Sequence, residues 1–212
     1  MPRAGRYTSR VDRELAGRIE AAAGALRRGG VVAYPTETFY GLGALARDAS
    51  AVARIARAKG RPEGKPLPLV AADRAMVEEV AEVGPLAARL ADRFWPGPLT
   101  LVLRARPGLP EAVTAGTGTV GIRIPGSEVA RELSRAAGGP IVSTSANPAG
   151  GQPPACAGDL EPGLRGRLDA VLDGGPAPGG LPSTVVAVEG GRVRLVRAGA
   201  VPFDEVLAAA AG

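Results

Sequence analysis

The 212-residue chain contains no histidine and a single cysteine. Without histidine it cannot build a Ser-His-Asp or Cys-His nucleophile or a histidine-ligated zinc site. One cysteine, Cys156, excludes disulfide bonds within the chain and metal sites that need several thiolates. No apolar segment follows the polar N-terminus, and no run approaches the roughly 18 apolar residues of a membrane span. We therefore expect a cytoplasmic protein without a signal peptide or a membrane partner.

Aromatic residues and lysine are also scarce. Aromatic side chains make up 3% of the chain, so the core must consist mainly of Val, Leu, Ile and Ala. Arginine supplies 24 of the 26 basic residues, and the lysines are Lys59 and Lys65. The net charge of +5 favours anionic partners such as nucleotides, phosphates or RNA. With 45% hydrophobic residues, we predict one folded domain over residues 11–212 behind a flexible basic arm over residues 1–10.

The pattern of apolar residues predicts helices that alternate with short strands. Apolar residues recur at helical spacing from Val11 to Leu26, and a glycine pair then ends the helix. Apolar runs predict strands at residues 31–34, 67–71, 99–103, 120–124, 141–143, 170–172, 184–188 and 193–196. The glycine turn at residues 190–191 predicts that the last two strands form an antiparallel hairpin. We predict an α/β fold with an open, twisted, mixed parallel and antiparallel sheet and flanking helices.

Two of the predicted loops combine polar side chains with glycine. PTETFYGLG at residues 35–43 places hydroxyls, a carboxylate and glycines after a buried strand, where α/β sheets bind ligands. KGRP at residues 59–62 puts Lys59 two residues before Arg61. The compact ammonium of lysine and the planar guanidinium of arginine together suit the binding of a phosphate or a carboxylate. The ordinary alternatives are a turn capped by hydroxyls for the first loop and a solvated helix C-terminus for the second.

A third loop, STSAN at residues 143–147, has three hydroxyls and the only asparagine. Such side chains donate to phosphate oxygens, although they also form ordinary Ser/Thr turns. Arg123 and Arg197 end predicted strands, and Ser183 precedes another. Cations and hydroxyls without an activated nucleophile are suited to positioning anions and stabilising charge during attack on a nucleotide phosphate. The chain has no Walker A sequence, which excludes a P-loop NTPase.

Seven motifs carry a family resemblance that covers roughly residues 13–207. They are PTETFYGLG (35–43), KGRP (59–62), FWPGPLT (94–100), RIP (123–125), STSAN (143–147), PSTVV (182–186) and RAGA (197–200). Each motif alone is weak, but in this order they resemble the YrdC-type threonylcarbamoyl-AMP synthases. The chain is similar to the short, single-domain bacterial form of that family.

The resemblance implies a YrdC-like fold with a basic concave cavity and a nucleotidyltransferase activity. L-threonine, bicarbonate and ATP would give threonylcarbamoyl-AMP and pyrophosphate, and the product would pass to the tRNA threonylcarbamoyl-transfer machinery. Weak binding of tRNA is also compatible with this family. Mg²⁺ is the expected cofactor, held mainly by the ATP phosphates, because the motifs supply few carboxylates.

The resemblance also implies three overlapping sets of site residues. The catalytic residues are Lys59, Arg61, Ser145 and Asn147. The threonine-binding residues are Thr36, Arg123 and Ser183. The ATP-binding residues are Lys59, Arg61, Thr119, Ser143, Ser145 and Arg197. We expect Arg123 to pair with the threonine carboxylate, because a guanidinium binds a carboxylate through two parallel hydrogen bonds.

Two features depart from the family pattern. Longer members carry a histidine near the position of Val70, which a chain without histidine replaces or does without. The loop after Asn147 reads PAGG, where the family usually has a serine followed by glycine. Contacts of residues 149–154 therefore do not carry over from the family.

Two other functions use the same features. A relative that handles carbamoyl-adenylate as a carbamoyltransferase would take carbamoyl phosphate in place of threonine and bicarbonate. An RNA-binding module would show RNA affinity that falls steeply with salt, without ATP turnover.

Overall fold

The computed structural model describes residues 11–60, 64–148 and 150–212. The predicted N-terminal arm, Arg61 and Ala149 lie outside the described residues. The helices are α1 (Arg13–Arg27), α2 (Ala49–Lys59), α3 (Arg74–Glu78), α4 (Pro85–Phe94), α5 (Glu111–Thr114), α6 (Glu128–Ala137), α7 (Pro162–Arg165) and α8 (Phe203–Ala211), with a short 3₁₀ turn at Ala157–Asp159. The strands are β1 (Val32–Pro35), β2 (Tyr40–Gly43), β3 (Leu69–Val70), β4 (Leu99–Arg104), β5 (Thr119–Arg123), β6 (Ile141–Val142), β7 (Thr144–Ser145), β8 (Ala170–Val171), β9 (Thr184–Glu189) and β10 (Arg192–Arg197).

The strands are divided between two sheets. The larger sheet has the order β10-β9-β4-β5-β3-β6, and the smaller has the order β7-β2-β1-β8. In the larger sheet β4 runs parallel to β9 and antiparallel to β5, while β9 and β10 form the predicted antiparallel hairpin. The prediction of a mixed sheet with flanking helices is confirmed.

The prediction that residues 35–43 are entirely loop is wrong for the second half of the segment. Tyr40–Gly43 forms β2, which runs back along β1 from the pair Pro35–Tyr40. The hydroxyl of Thr36 donates to the carbonyl of Phe39 at 2.8 Å, and this bond closes the turn. The paired strand was missed because two glycines lower its β propensity, and here they make room for close neighbours.

Two apolar clusters hold the sheets and helices together. In the larger cluster Leu101, Ile122 and Val186 of the large sheet pack with residues of α2 and α4. In the other cluster α1 and α6 pack against Tyr34 and Val70. Helix α2 ends at Lys59 because Gly60 adopts a left-handed conformation with φ of 56°. Among the described helices, none is both long and apolar enough to cross a bilayer.

Candidate active site

One face of the large sheet is rich in arginine. Strand residues alternate between faces, and the registers place the buried Leu101, Ile122 and Val186 together on the core face. The opposite face, which we call the arginine face, carries Thr100, Val102, Arg104, Thr119, Gly121, Arg123, Val185, Ala187, Glu189, Arg192, Arg194 and Arg197. This arrangement gives an extended basic surface along β4, β5, β9 and β10.

A buried ion pair lies at one end of the arginine face. Nε of Arg123 donates to Oε1 of Glu37 at 3.0 Å, and the two side chains are only 6% and 9% exposed. Within the described chain no acceptor is found for the two terminal nitrogens of Arg123. Oε2 of Glu37 is buried and also lacks a hydrogen-bond partner there. The pair therefore has donor and acceptor capacity that the described protein does not use.

Arg197 adds a second cation through a hydroxyl network. Its Nη2 donates to the carbonyl of Ser183 at 2.7 Å and to the Ser183 hydroxyl at 3.2 Å. That hydroxyl lies 3.0 Å from the hydroxyl of Thr100. Desolvation lowers the pKa of Arg197, and the positive charge of Arg123 lowers it further. Two neighbouring positive charges of this kind favour the binding of an anion near both.

The chain around Ser183 is fixed by a close backbone approach. A Cβ atom on Gly199 would lie 2.3 Å from the carbonyl oxygen of Pro182 and 2.6 Å from the backbone nitrogen of Thr184. The hydroxyl of Thr184 donates to the carbonyl of Val201 at 2.6 Å and accepts from its N–H at 2.9 Å. Only glycine fits at position 199, which explains the glycine of the RAGA motif.

Tyr34 lies between the two sheets next to the ion pair. Its hydroxyl donates to the carbonyl of Val142 at 3.1 Å, and Gly43 packs against its ring. Complete burial raises the pKa of Tyr34, while a hydrogen bond with Ser143 and the charge of Arg123 act in the opposite direction. Tyr34 therefore remains a neutral hydroxyl, and it links Ser143 to the site.

Lys59 holds the third loop. Its buried ammonium donates to the backbone carbonyls of Ser145 and Asn147, the latter at 2.6 Å. The amide nitrogen of Asn147 donates to the carbonyls of Pro148 and Gly151, each at 2.8 Å. These bonds turn the amide oxygen of Asn147 inwards, where it is buried without a hydrogen-bond partner in the described chain. In this conformation the lysine positions the loop that carries Ser145 and Asn147.

The predicted site residues fall into groups. Arg123, Ser183 and Arg197 come together at the ends of β5, β9 and β10, and the Thr36 hydroxyl shapes the turn that carries Glu37. Ser143 lies beside this group through Tyr34, and Ser145 pairs with Gly41 of β2. Thr119 lies at the other end of β5, four residues or about 13 Å along the strand from Arg123. The described residues leave the position of Arg61 open.

Sequence reasoning assigned no role to Glu37 or Thr100. Glu37 was part of a motif, but a carboxylate inside a basic site has no obvious use until its burial and its partner are known. Thr100 is opposite Arg123 when the β4–β5 register is extended by one pair. Val70, near which longer family members are expected to carry a histidine, is fully buried and pairs with Arg123 in the sheet.

The described side chains offer at most one ligand to a magnesium ion, which would need phosphates for the rest of its coordination. Among the described residues, no group of three or more His, Cys, Asp or Glu side chains could hold a metal ion. The carboxylate of Glu37 is engaged with Arg123, whereas the unpartnered amide oxygen of Asn147 is the kind of ligand that Mg²⁺ accepts.

Comparison with known proteins shows one family. The family model described as "Telomere recombination", which covers Sua5, YciO and YrdC proteins, matches residues 24–199. A protein named "Threonylcarbamoyl-AMP synthase" from Pyrococcus abyssi is 42% identical over 190 residues, which is 89% of this chain and 56% of that protein. A protein of the same name from Halorhodospira halophila is 42% identical over 160 residues, covering 74% of this chain and 83% of that protein.

A solved structure has the same architecture. The crystal structure of P. abyssi Sua5 complexed with L-threonine superposes with a TM-score of 0.87 at 40% identity, over 92% of this chain and 57% of that one. The chain thus spans little more than half the length of these P. abyssi proteins.

Proposed function

The chain belongs to the Sua5/YciO/YrdC family, and from this premise we propose that it is an L-threonylcarbamoyladenylate synthase. It would condense L-threonine, bicarbonate and ATP to threonylcarbamoyl-AMP and pyrophosphate. The observation that carries the proposal is the convergence of Arg123, Arg197 and the Ser183 hydroxyl at one end of the arginine face. All three substrates are anionic or carry a carboxylate, and such a site is built to hold anions.

The threonine carboxylate would bind to Arg123. Glu37 occupies the Nε edge of the guanidinium, and the two terminal nitrogens remain as a pair of parallel donors. That fork matches the two oxygens of a carboxylate. The hydroxyls of Ser183 and Thr100 adjoin this position and would accept or donate hydrogen bonds to the substrate.

ATP would lie along the arginine face. Gly121 separates Arg123 from Thr119 on that face, and because it has no side chain it adds no bulk between them. We place the phosphates near Arg197 and the loop of Ser145 and Asn147, with the nucleoside directed towards Thr119. Lys59 serves this arrangement by fixing the loop through two carbonyl oxygens.

The chemistry needs positioning more than a protein nucleophile. The amine of threonine combines with bicarbonate to form a carbamate and release water, and a carbamate oxygen then attacks the α-phosphorus as pyrophosphate leaves. Fixed cations and hydroxyls would stabilise the charge that develops on the phosphoryl oxygens. A Mg²⁺ ion bound to the phosphates would neutralise part of their charge, with the amide oxygen of Asn147 as its protein ligand.

Further expectations follow from the proposed activity. The product would be passed to the proteins that attach the threonylcarbamoyl group to tRNA, and the synthesis would take place in the cytoplasm. The exposed arginines Arg192 and Arg194 on the arginine face are compatible with weak contact to tRNA.

The test is pyrophosphate release from ATP and Mg²⁺, with threonine and bicarbonate added separately and together. We expect turnover only with both, and carbamoyl phosphate should not replace them. Lys59→Ala should lose most activity because the loop is released, whereas Arg57→Ala, an exposed cation two residues earlier on α2, should not. Turnover that is independent of threonine and bicarbonate would refute the proposed function.

A further inference from the structure

Glu37 is a conspicuous side chain for which the proposed reaction has no assigned role. Among the described residues, only two buried side-chain oxygen or nitrogen atoms lack a hydrogen-bond partner, and Oε2 of Glu37 is one of them. The side chain is 9% exposed. A buried carboxylate oxygen without a partner is costly, and proteins keep such a group where a ligand supplies the missing donor.

The position of Glu37 is tightly defined. Its Oε1 accepts from Arg123, and the turn that carries it is closed by the Thr36 hydroxyl. Gly126 lies against the other side, since a Cβ atom there would be 3.4 Å from Cβ and 3.5 Å from Cγ of Glu37. The free oxygen is thus held next to the guanidinium whose terminal nitrogens bind no acceptor in the described chain.

We propose that Oε2 of Glu37 receives the α-ammonium group of the amino-acid substrate while the terminal nitrogens of Arg123 receive its carboxylate. This inference rests on the proposed function, which places the carboxylate at Arg123. An α-amino acid presents an anion and a cation one carbon apart, and the Arg123–Glu37 pair presents the opposite charges side by side. Glu37 therefore selects for the zwitterion and orients its nitrogen, which must release one proton to solvent before the neutral amine reacts with bicarbonate.

A different role for Glu37 makes a distinct prediction. If Glu37 only imitates a carboxylate and occupies Arg123 until the substrate displaces it, its removal should tighten the binding of any carboxylate. If Glu37 only holds Arg123 in position, its removal should weaken the binding of all carboxylate ligands by the same factor. Only an ammonium receptor distinguishes ligands by their amino group.

The experiment compares L-threonine with (R)-3-hydroxybutanoate, which is threonine without its amino group. Dissociation constants are measured by calorimetry for the wild-type protein and for Glu37→Gln, Glu37→Asp and Glu78→Gln. Glu78→Gln is the matched control, because Glu78 accepts from Nε of Arg74 at 3.2 Å in an exposed pair. Melting temperatures of all variants are recorded in parallel.

We expect the wild type and Glu78→Gln to prefer threonine by about tenfold or more, as for a hydrogen bond to a charged group. In Glu37→Gln this ratio should collapse towards one, chiefly through weaker threonine binding, and Glu37→Asp should restore part of it. The inference is overturned if Glu37→Gln keeps the wild-type ratio of the two dissociation constants. It is also overturned if both ligands bind more tightly to Glu37→Gln, or if both bind more weakly by the same factor. If Glu37→Gln does not fold, the ratio in Glu37→Asp decides, since a shorter carboxylate should lower it.

The proposed function has a separate readout. The wild type could release pyrophosphate only with threonine and bicarbonate while Glu37→Gln keeps the wild-type ratio of ligand dissociation constants. That combination of results would overturn only the role of Glu37. Failure of the wild type to bind threonine or release pyrophosphate would overturn the proposed function itself.

Discussion

Replacing Gly199 by alanine tests whether the close backbone approach shapes the site. The added Cβ would lie 2.3 Å from the carbonyl oxygen of Pro182, and 2.6 Å from the backbone carbon of Ser183 and the backbone nitrogen of Thr184. All three contacts are with backbone atoms, so no side chain can rotate away. The segment after β10 must therefore move from the start of β9.

The size of the effect follows from the contacts at risk. Overpacking of this kind costs about 1–3 kcal/mol. Separation of the segments also strains the two hydrogen bonds between Thr184 and Val201 and the bond from the N–H of Ala200 to the carbonyl of Pro182, each worth about 1 kcal/mol. We expect a loss of about 2–5 kcal/mol in the free energy of unfolding, which lowers the melting temperature by about 5–15 °C for a chain of this size.

The assay combines thermal unfolding with pyrophosphate release. Ser183 and Arg197 flank the contact, so activity at a temperature where the variant is folded should also fall. Gly17→Ala is the control, because Gly17 lies within α1 and no atom of the described chain would come within 4 Å of its Cβ. That substitution should stabilise the protein by up to about 1 kcal/mol. A Gly199→Ala protein that melts within about 1 °C of the wild type would refute the reasoning.

Two further predictions concern Tyr34 and Gly121. Because burial raises the pKa of Tyr34, unfolding above about pH 10 releases a proton that the folded state retains, and stability falls as pH rises. Urea unfolding at about pH 9 to 11 should show this fall in the free energy of unfolding. Tyr34→Phe should make the slope of that free energy against pH shallower by up to about 1.4 kcal/mol per pH unit, and equal slopes in the two proteins would contradict the assignment. Gly121→Val should place a side chain between Arg123 and Thr119 and weaken ATP binding about tenfold or more, since a loss of 1.4 kcal/mol is tenfold in affinity. The added Cβ would lie 3.4 Å from Cγ2 of Thr100 and 3.8 Å from Cβ of Pro68, so binding is measured well below the melting temperature of the variant. Calorimetry with ATP measures this, and unchanged affinity would move the nucleotide off the arginine face.

Local pattern was enough for most elements of the fold. Helix α1 and strands β4, β5, β9 and β10 were predictable because their apolar residues recur at a clear helical or strand period. Strands β2 and β7 were not, because they are short, contain glycine or hydroxyl residues, and exist only through pairing with each other and with β1. Pairing between distant segments is a tertiary property that propensity does not report.

The sequence by itself determined which chemistries are absent and which segments carry the site, because residue types and motif order need no coordinates. Lack of histidine excluded a histidine-activated nucleophile, and the motifs predicted Arg123 and Ser183 as threonine-binding residues and Arg197 as an ATP-binding residue. Only the tertiary structure decided how the charges are used. It turned Lys59 towards two backbone carbonyls, and it buried Glu37 against Arg123 with one oxygen unpaired. Hydrogen bonding and desolvation depend on atoms brought together from remote parts of the chain, so these roles follow from packing alone.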